Sequence, residues 1–192
     1  MSVRDNLRKL MRAERKKLSK KDQQTVAEKI TQKLIESEIF QTSQRIACYI
    51  QYQAEVDTHR IIRAIWDADK ICYLPVLTGK HLSFVEYAFG DTLKKNKLGI
   101  LEPIPSSDRI AALNDLDLVL TPLIAFDRQQ HRLGTGAGFY DRTFEQSGSR
   151  PTLCGLAYSF QEIDLVPNEH WDVPLDFVIT EEEVIYKSSA QR

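Results

Sequence analysis

The chain has 192 residues, 42% hydrophobic and 28% charged, with a net charge of -1, which suits one α/β domain with a sizeable core and residues 1–40 packed on it as basic helices. No apolar run is long enough to cross a bilayer, and a charged start without an apolar leader leads us to expect a cytoplasmic protein with no membrane partner. The three cysteines, Cys48, Cys72 and Cys154, lie far apart in apolar stretches, which excludes a Cys-x-x-Cys metal or redox motif and predicts buried, reduced thiols.

Nine basic side chains stand against two acids among residues 1–21. Such asymmetry fits an anionic ligand, a nucleic acid, or a solvated helix face set against an acidic body. No nucleic-acid motif or interleaved aromatics accompany the charges, so nucleic acid is not expected as a partner. Ser2 is placed to cap a first helix in which Val3, Leu7, Leu10, Met11 and Leu18 follow helical spacing. Ser19 with Asp22 reads as a capping box for a second, running through Val26, Ile30, Leu34 and Ile35. Arg4, Arg8, Arg12 and Arg15 recur every three or four residues and line one side of the first helix.

Strands and helices then alternate. Residues 45–50 read as a strand, Thr58 as the cap of a helix through Trp66, and residues 71–74 as a strand ended by Pro75. Residues 81–86 give another strand, followed by a loop-rich passage with Gly90, Gly99, Pro103 and Pro105. Residues 117–121 form a short apolar strand suited to the middle of a parallel sheet. Residues 139–146 predict a helix, residues 152–157 and 177–180 two more strands, and the last few residues look frayed. The expected fold is three-layer α/β: a mostly parallel, doubly wound, Rossmann-like sheet with helices on both faces, an N-terminal helical segment, and ligands near the carboxyl ends of the strands.

The most informative stretch is the run RLGTGAGFYDR at residues 132–142. Gly134, Gly136 and Gly138 remove side chains where backbone amides must approach an anion, and the loop enters a helix whose free amides favour phosphate. Arg132 and Arg142 bracket it and can add bidentate bonds to phosphate oxygens. Asp141 is a carboxylate suited to magnesium, which binds through one or two carboxylates plus phosphates and water. The spacing is neither that of a dinucleotide fingerprint nor that of a P-loop.

With these residues in view, the chain resembles the 5-formyltetrahydrofolate cyclo-ligases, also called methenyltetrahydrofolate synthetases, in a bacterial-type form. The likeness spans nearly the whole chain: the basic start with Arg4 and Arg8, Ile50 and the segment Glu55-Val56-Asp57-Thr58, residues 121–127 leading into Arg132, and the late motif Trp171-Asp172-Val173-Pro174-Leu175-Asp176. The resemblance implies ATP- and magnesium-dependent cyclisation of 5-formyltetrahydrofolate to 5,10-methenyltetrahydrofolate, with release of ADP and phosphate. The formyl oxygen is phosphorylated first and N10 then closes the ring. It assigns ATP to Arg4, Arg8, Arg132, Gly134, Thr135, Gly136, Ala137, Gly138, Phe139, Tyr140 and Arg142. It assigns folate to Ile50, Glu55, Phe139 and Tyr140, catalysis to Arg132 and Tyr140, and Mg2+ to Asp141 and Asp172. It further implies small-molecule substrates and a monomer or weak dimer. Three positions depart from the common family pattern: Arg4 stands for Lys, Ala137 for a loop Lys, and Phe139 for the first of two tyrosines.

Taken alone, several of these residues have plainer readings. Asp172 and Asp176 can be surface acids of a loop held by Trp171 and Pro174, Glu55 can cap the helix near Thr58, and Tyr140 can be core. Glu102 and Pro103, after Gly99, lie either near the nucleotide or simply in a turn. His59, His81, His131 and His170 have no metal-ligand spacing, and Ser159 has no nucleophile-elbow context. Two other functions stay open: a same-fold enzyme acting on another formylated or phosphorylated metabolite, and a non-catalytic nucleic-acid-binding protein using its basic first helix.

Overall fold

Ser2 starts helix α1 (Val3–Lys17). Its hydroxyl accepts the Asp5 N–H at 3.1 Å while the Asp5 carboxylate accepts the Ser2 N–H at 3.3 Å, satisfying donors at the helix start reciprocally. Ser19 caps α2 (Lys20–Glu36) by accepting the Asp22 N–H at 3.1 Å, but the Asp22 carboxylate returns to the Ser19 hydroxyl, so this box is half made. These elements belong to a computed structural model that describes residues 2–145 and 150–187.

After a short α3 (Glu38–Thr42) come β1 (Arg45–Ala47), α4 (His59–Asp67), β2 (Ile71–Thr78) and β3 (His81–Glu86). They are followed by β4 (Leu93–Lys95), β5 (Leu101–Pro103), β6 (Ile110–Ala111), β7 (Leu118–Pro122), β8 (Ala125–Phe126) and β9 (Arg132–Leu133). The chain continues through α5 (Phe139–Phe144), β10 (Thr152–Leu156), β11 (Phe177–Ile179) and β12 (Val184–Tyr186). The main sheet runs β12-β11-β10-β7-β1-β2-β3-β6. The five strands from β11 to β2 are parallel, and β12, β3 and β6 add antiparallel margins.

Alternation along the parallel strands divides the core into two layers. Ile46, Leu118 and Leu120 face Ile30 and Leu34 of α2 and Ile61 and Ile65 of α4, whereas Ala47 and Val119 face Phe126, Phe144 and Leu153. Ile30 and Leu34 are fully buried, each contributing about 1.5–3 kcal/mol of apolar burial. The three-layer, mostly parallel fold expected from the sequence is the fold observed. Its strand order reverses between β1 and β7, and at such a switch point the connections leave in opposite directions and open a crevice at the carboxyl ends.

Some local expectations fail for physical reasons. The first strand stops pairing at Ala47 rather than residue 50, because β7 pairs with β1 only as far as Ala47 and Cys48 keeps a single bond, its N–H to the Tyr73 carbonyl at 2.8 Å. Pro75 does not end β2, which continues to Thr78 paired with β3. Tyr73 turns its carbonyl toward β1, so Pro75, two residues on, places its missing N–H on that same side, past the end of β1, where no ladder bond is lost. The loop-rich passage contains the β4–β5 hairpin, and α5 ends at Phe144, the expected position 146 lying outside the described residues. Thr58 occupies the cap position of α4, but its hydroxyl donates to the Tyr49 carbonyl, and Asp57 accepts the His59 N–H at 2.9 Å instead.

All three cysteines are buried and free, with Cys48 pushed up to about 12 by burial, so these are inert protonated thiols, as expected. Among the described residues no helix is long and apolar enough to cross a membrane.

Candidate active site

Gly136 (φ +111°) and Gly138 (φ +65°) give the loop after β9 a backbone that L-residues with side chains rarely adopt. A Cβ on Gly138 would stand 2.7 Å from Arg142 Nη1, and one on Gly136 3.4 Å from the Arg8 guanidinium carbon. The loop therefore needs glycine for its hand of turn and for two guanidinium groups lying against it; Gly134 meets neither demand.

Helix α1 straps this loop. Arg8 Nε donates to the Gly134 carbonyl at 3.0 Å and Arg12 Nη2 to the Thr135 carbonyl at 3.1 Å. From the other side Arg142 Nη2 donates to the Ala137 carbonyl at 2.6 Å. The carbonyls are thus engaged, while the N–H groups of Thr135, Gly136, Ala137, Gly138 and Phe139 have no acceptor among the described residues. Successive free amides of this kind form an anion-binding concavity. Helix α5 has only six residues, so the loop amides and arginines, rather than a long macrodipole, dominate the local field.

Two cavities meet at the loop. The first, about 320 Å³, opens at the carboxyl ends of β1 and β7 and is lined by Tyr49, Ile50, Glu55, Pro75, Leu77, Pro122, Phe139 and Tyr140, with Leu98, Ile100 and Leu101 overhanging from the β4–β5 hairpin. The second, about 520 Å³, is lined by Arg4, Arg8, Arg142, Asp172 and Trp171. Gly134, Ala137, Gly138 and Asp141 belong to both walls. One cavity is apolar and the other polar, with Arg4, Arg8 and Arg142 set among Asp141, Glu145 and Asp172, and the loop is their common partition.

The residues singled out in the sequence divide between the two. Arg4, Arg8, Gly134, Gly136, Ala137, Gly138, Asp141, Arg142 and Asp172 line the polar cavity. Ile50, Glu55, Arg132, Thr135, Phe139 and Tyr140 line the apolar one. Arg132 is only 5% exposed, with Nη2 on Asp141 Oδ1 at 2.6 Å and Nη1 on the Val173 carbonyl. Its guanidinium is therefore committed to holding Asp141 and the late motif. Asp172 is tied by Arg4 at 2.9 Å and closes a turn through the Glu169 N–H at 2.9 Å, which removes the reading of a free surface acid. Asp176, by contrast, pairs with Arg150 and accepts the Leu153 N–H, away from both cavities.

Glu55 does not cap α4; its Oε2 accepts the Tyr52 N–H at 3.0 Å. Burial pushes its carboxyl up to about 7, opposed by the Tyr52 N–H and then by Arg15 and Arg12. The Tyr140 phenol is held well above its ordinary pKa by burial and by the Glu55 charge, and its ring stacks on Phe144 with centroids 6.5 Å apart. Glu102 lines the apolar cavity from β5 and accepts from Asn96 Nδ2 at 3.0 Å, so it is more than a plain turn residue.

The sequence reading missed Arg12, Tyr49 and the hairpin as walls of the apolar cavity. For Arg12 the signal was present in its four-residue spacing from Arg8; for the hairpin no motif marks it.

Asp141 and Asp172 each have one carboxylate oxygen engaged and one without a partner among the described residues. Two hard oxygen donors beside the free loop amides fit magnesium completed by phosphate and water. No group of three or more His, Cys, Asp or Glu side chains forms an all-protein cage among the described residues.

Fold and site together define a doubly wound α/β protein in which a glycine loop for anions adjoins an apolar cleft at the switch point. The family described as the 5-formyltetrahydrofolate cyclo-ligase family matches residues 1–181, and the chain belongs to it. It is similar to the 5-formyltetrahydrofolate cyclo-ligase of Haemophilus influenzae, 36% identical over 176 residues that cover 90% of this chain and 94% of the relative. The Escherichia coli K12 cyclo-ligase is 33% identical over 179 residues, covering 91% and 98%. Among solved structures, Aquifex aeolicus 5,10-methenyltetrahydrofolate synthetase superposes with a TM-score of 0.87 at 28% identity, covering 100% of this chain and 96% of that one. The protein is accordingly an ATP-dependent ligase of folate one-carbon metabolism, converting 5-formyltetrahydrofolate to the 5,10-methenyl form.

Proposed function

We propose that the apolar cavity takes the pterin end of 5-formyltetrahydrofolate, that the polar, arginine-bearing cavity takes the ATP triphosphate, and that the two reactants meet at the glycine loop. The observation that carries this reading is the shared wall: Gly134, Ala137, Gly138 and Asp141 border both cavities. A formamide oxygen is a poor leaving group, so phosphorylation must precede attack by N10. The protein's task is then to hold the γ-phosphate against the formyl oxygen and to balance charge as it moves.

In this scheme the free amides from Thr135 to Phe139, with Arg4, Arg8 and Arg142, cradle the phosphates. Glu55 accepts hydrogen bonds from the donor-rich edge of the pterin, and Ile50, Phe139 and Tyr140 give it apolar and aromatic contact. The neutral Tyr140 phenol is a donor beside the reacting oxygen. Arg132 aligns Asp141, and Asp141 and Asp172 are the residues that would hold Mg2+. Bound there, the ion supplies neutralisation of phosphate charge. The substrates are small molecules. Arg8 and Arg12 each donate to a loop carbonyl and Arg15 is buried, so α1 turns these arginines toward the loop and the interior, which favours this reading over nucleic-acid binding by α1.

The test is turnover of 5-formyltetrahydrofolate with ATP and magnesium, followed by the near-ultraviolet absorbance of the methenyl product. It is combined with competition of inorganic tripolyphosphate against ATP. Methenyl formation with tripolyphosphate competitive only toward ATP supports the two-cavity reading; competition toward folate refutes it.

A further inference from the structure

Leu77 carries β2 beyond the end of β1. Tyr73 turns its carbonyl toward β1, and Leu77, four residues on, turns its N–H to that same side, where β1 has ended. Glu102 of β5 meets this open edge: its Oε2 accepts the Leu77 N–H at 3.4 Å and Asn96 Nδ2 at 3.0 Å. Asn96 in turn builds the tip between β4 and β5. Its Oδ1 accepts the N–H groups of Leu98 at 2.9 Å and Ile100 at 3.1 Å. Its own N–H donates to the Ile100 carbonyl at 2.8 Å, and its carbonyl accepts the N–H of Gly99, which stands at φ +77°. One carboxylate oxygen thus joins the turn to the sheet edge. The apolar side chains this turn carries, Leu98, Ile100 and Leu101, line the apolar cavity, yet Leu98 is 51% exposed and Leu101 38%. Apolar groups in a cavity wall that the core leaves uncovered gain burial when a ligand fills the space.

We infer that Asn96 and Glu102 are positioning residues for folate, a clasp that fixes the hairpin tip over the apolar cavity before the substrate arrives. The inference rests on the proposed seating of the pterin in that cavity. A turn left free to fluctuate must be ordered at the moment of binding, and that cost is subtracted from affinity. A turn already fixed by hydrogen bonds presents its three apolar side chains without it. The clasp needs an acceptor at residue 102 rather than a charge, because both of its donors, a side-chain amide and a backbone N–H, are neutral. Glu102 Oε1 has no partner among the described residues, so direct contact with the substrate is the rival role. The two roles differ in consequence: a substrate contact acts without Asn96 and depends on the carboxylate. Neither residue lines the polar cavity, so the clasp serves folate and leaves ATP alone.

The experiment measures kcat and the KM values for 5-formyltetrahydrofolate and ATP in the wild type, Asn96→Ala, Glu102→Ala, the double variant and Glu102→Gln. Each alanine variant is expected to raise KM for folate about tenfold, with kcat and KM for ATP changing much less. The double variant should be no worse than either single one, since both remove the same clasp. Glu102→Gln, which keeps an acceptor, should stay near the wild type. Additive effects in the double variant, a wild-type KM in Asn96→Ala, or a Glu102→Gln as defective as Glu102→Ala would each overturn the clasp. If Glu102→Ala does not fold, the other two single variants decide. A raised folate KM in Asn96→Ala beside a wild-type value in Glu102→Gln supports the inference, and the reverse refutes it. Clasp variants that raise KM for ATP and spare folate would sink the assignment of the apolar cavity to folate, and the inference with it.

Discussion

Arg132 Nη2 and Asp141 Oδ1 lie 2.6 Å apart across the glycine loop, with the Arg132 side chain 3% exposed and that of Asp141 20%. This pair joins the last strand before the loop to the helix after it, and through the Val173 carbonyl and N–H it reaches the late acidic motif. The motif arginine expected to meet phosphate also holds a carboxylate in the fold.

Removing that support leaves the Val173 carbonyl without a donor and Asp141 with only the Val173 N–H at 3.2 Å. Arg132→Ala is expected to destabilise the protein by about 3–5 kcal/mol, the range for breaking a buried pair from one side, as well as to lower turnover. Urea unfolding measures the first effect. Full stability with weakened ATP binding would make Arg132 a phosphate ligand and nothing more.

Arg8 and Arg12 are one helical turn apart but belong to different cavities, the polar and the apolar one respectively. Arg8→Ala is expected to raise KM for ATP about tenfold, a loss of about 1.4 kcal/mol, with little change for folate. Arg12→Ala should show the opposite preference. Initial rates with each substrate varied in turn decide this, and equal effects on both KM values would refute the partition.

Gly138 and Gly134 offer a matched comparison. Gly138→Ala must hold a Cβ at φ +65°, 2.7 Å from Arg142 Nη1, whereas nothing lies within 4 Å of a Cβ at Gly134. The first substitution should cost about 1–2 kcal/mol in backbone strain and raise KM for ATP by displacing Arg142; the second should cost clearly less. Thermal unfolding and ATP titration of the two variants check the order.

Glu55 has a folded-state pKa raised to about 7 by burial. Between the unfolded carboxyl range and that value the native state binds the extra proton, so its contribution to stability falls as pH rises through this window. Glu55→Gln has no such titration. Its Tm relative to wild type should therefore increase from pH 5 to pH 8, and a constant difference would show that Glu55 is not raised.

Much of the site was legible because it is local. Capping at Ser2, the helical spacing of the arginines and the glycine loop each lie within one stretch of chain, and Gly136 and Gly138 do adopt the conformations that call for glycine. The error at Pro75 came from applying a local rule to a strand whose proline falls beyond its neighbour's end, which pairing alone decides. The β4–β5 hairpin escaped notice because Lys94 to Leu101 shows no alternation, and its value lies in overhanging a cavity built by β1, β2 and β7.

By itself the sequence determined the α/β class, the phosphate-type loop and the family, since periodicity, capping and motif spacing are written along the chain. Tertiary structure alone decided that Arg132 holds Asp141, that Arg15 is buried, and that one loop divides an apolar cavity from a polar one. Those relationships join residues tens of positions apart, and their energies depend on burial and on which charges share a space, quantities that exist only once the chain has folded.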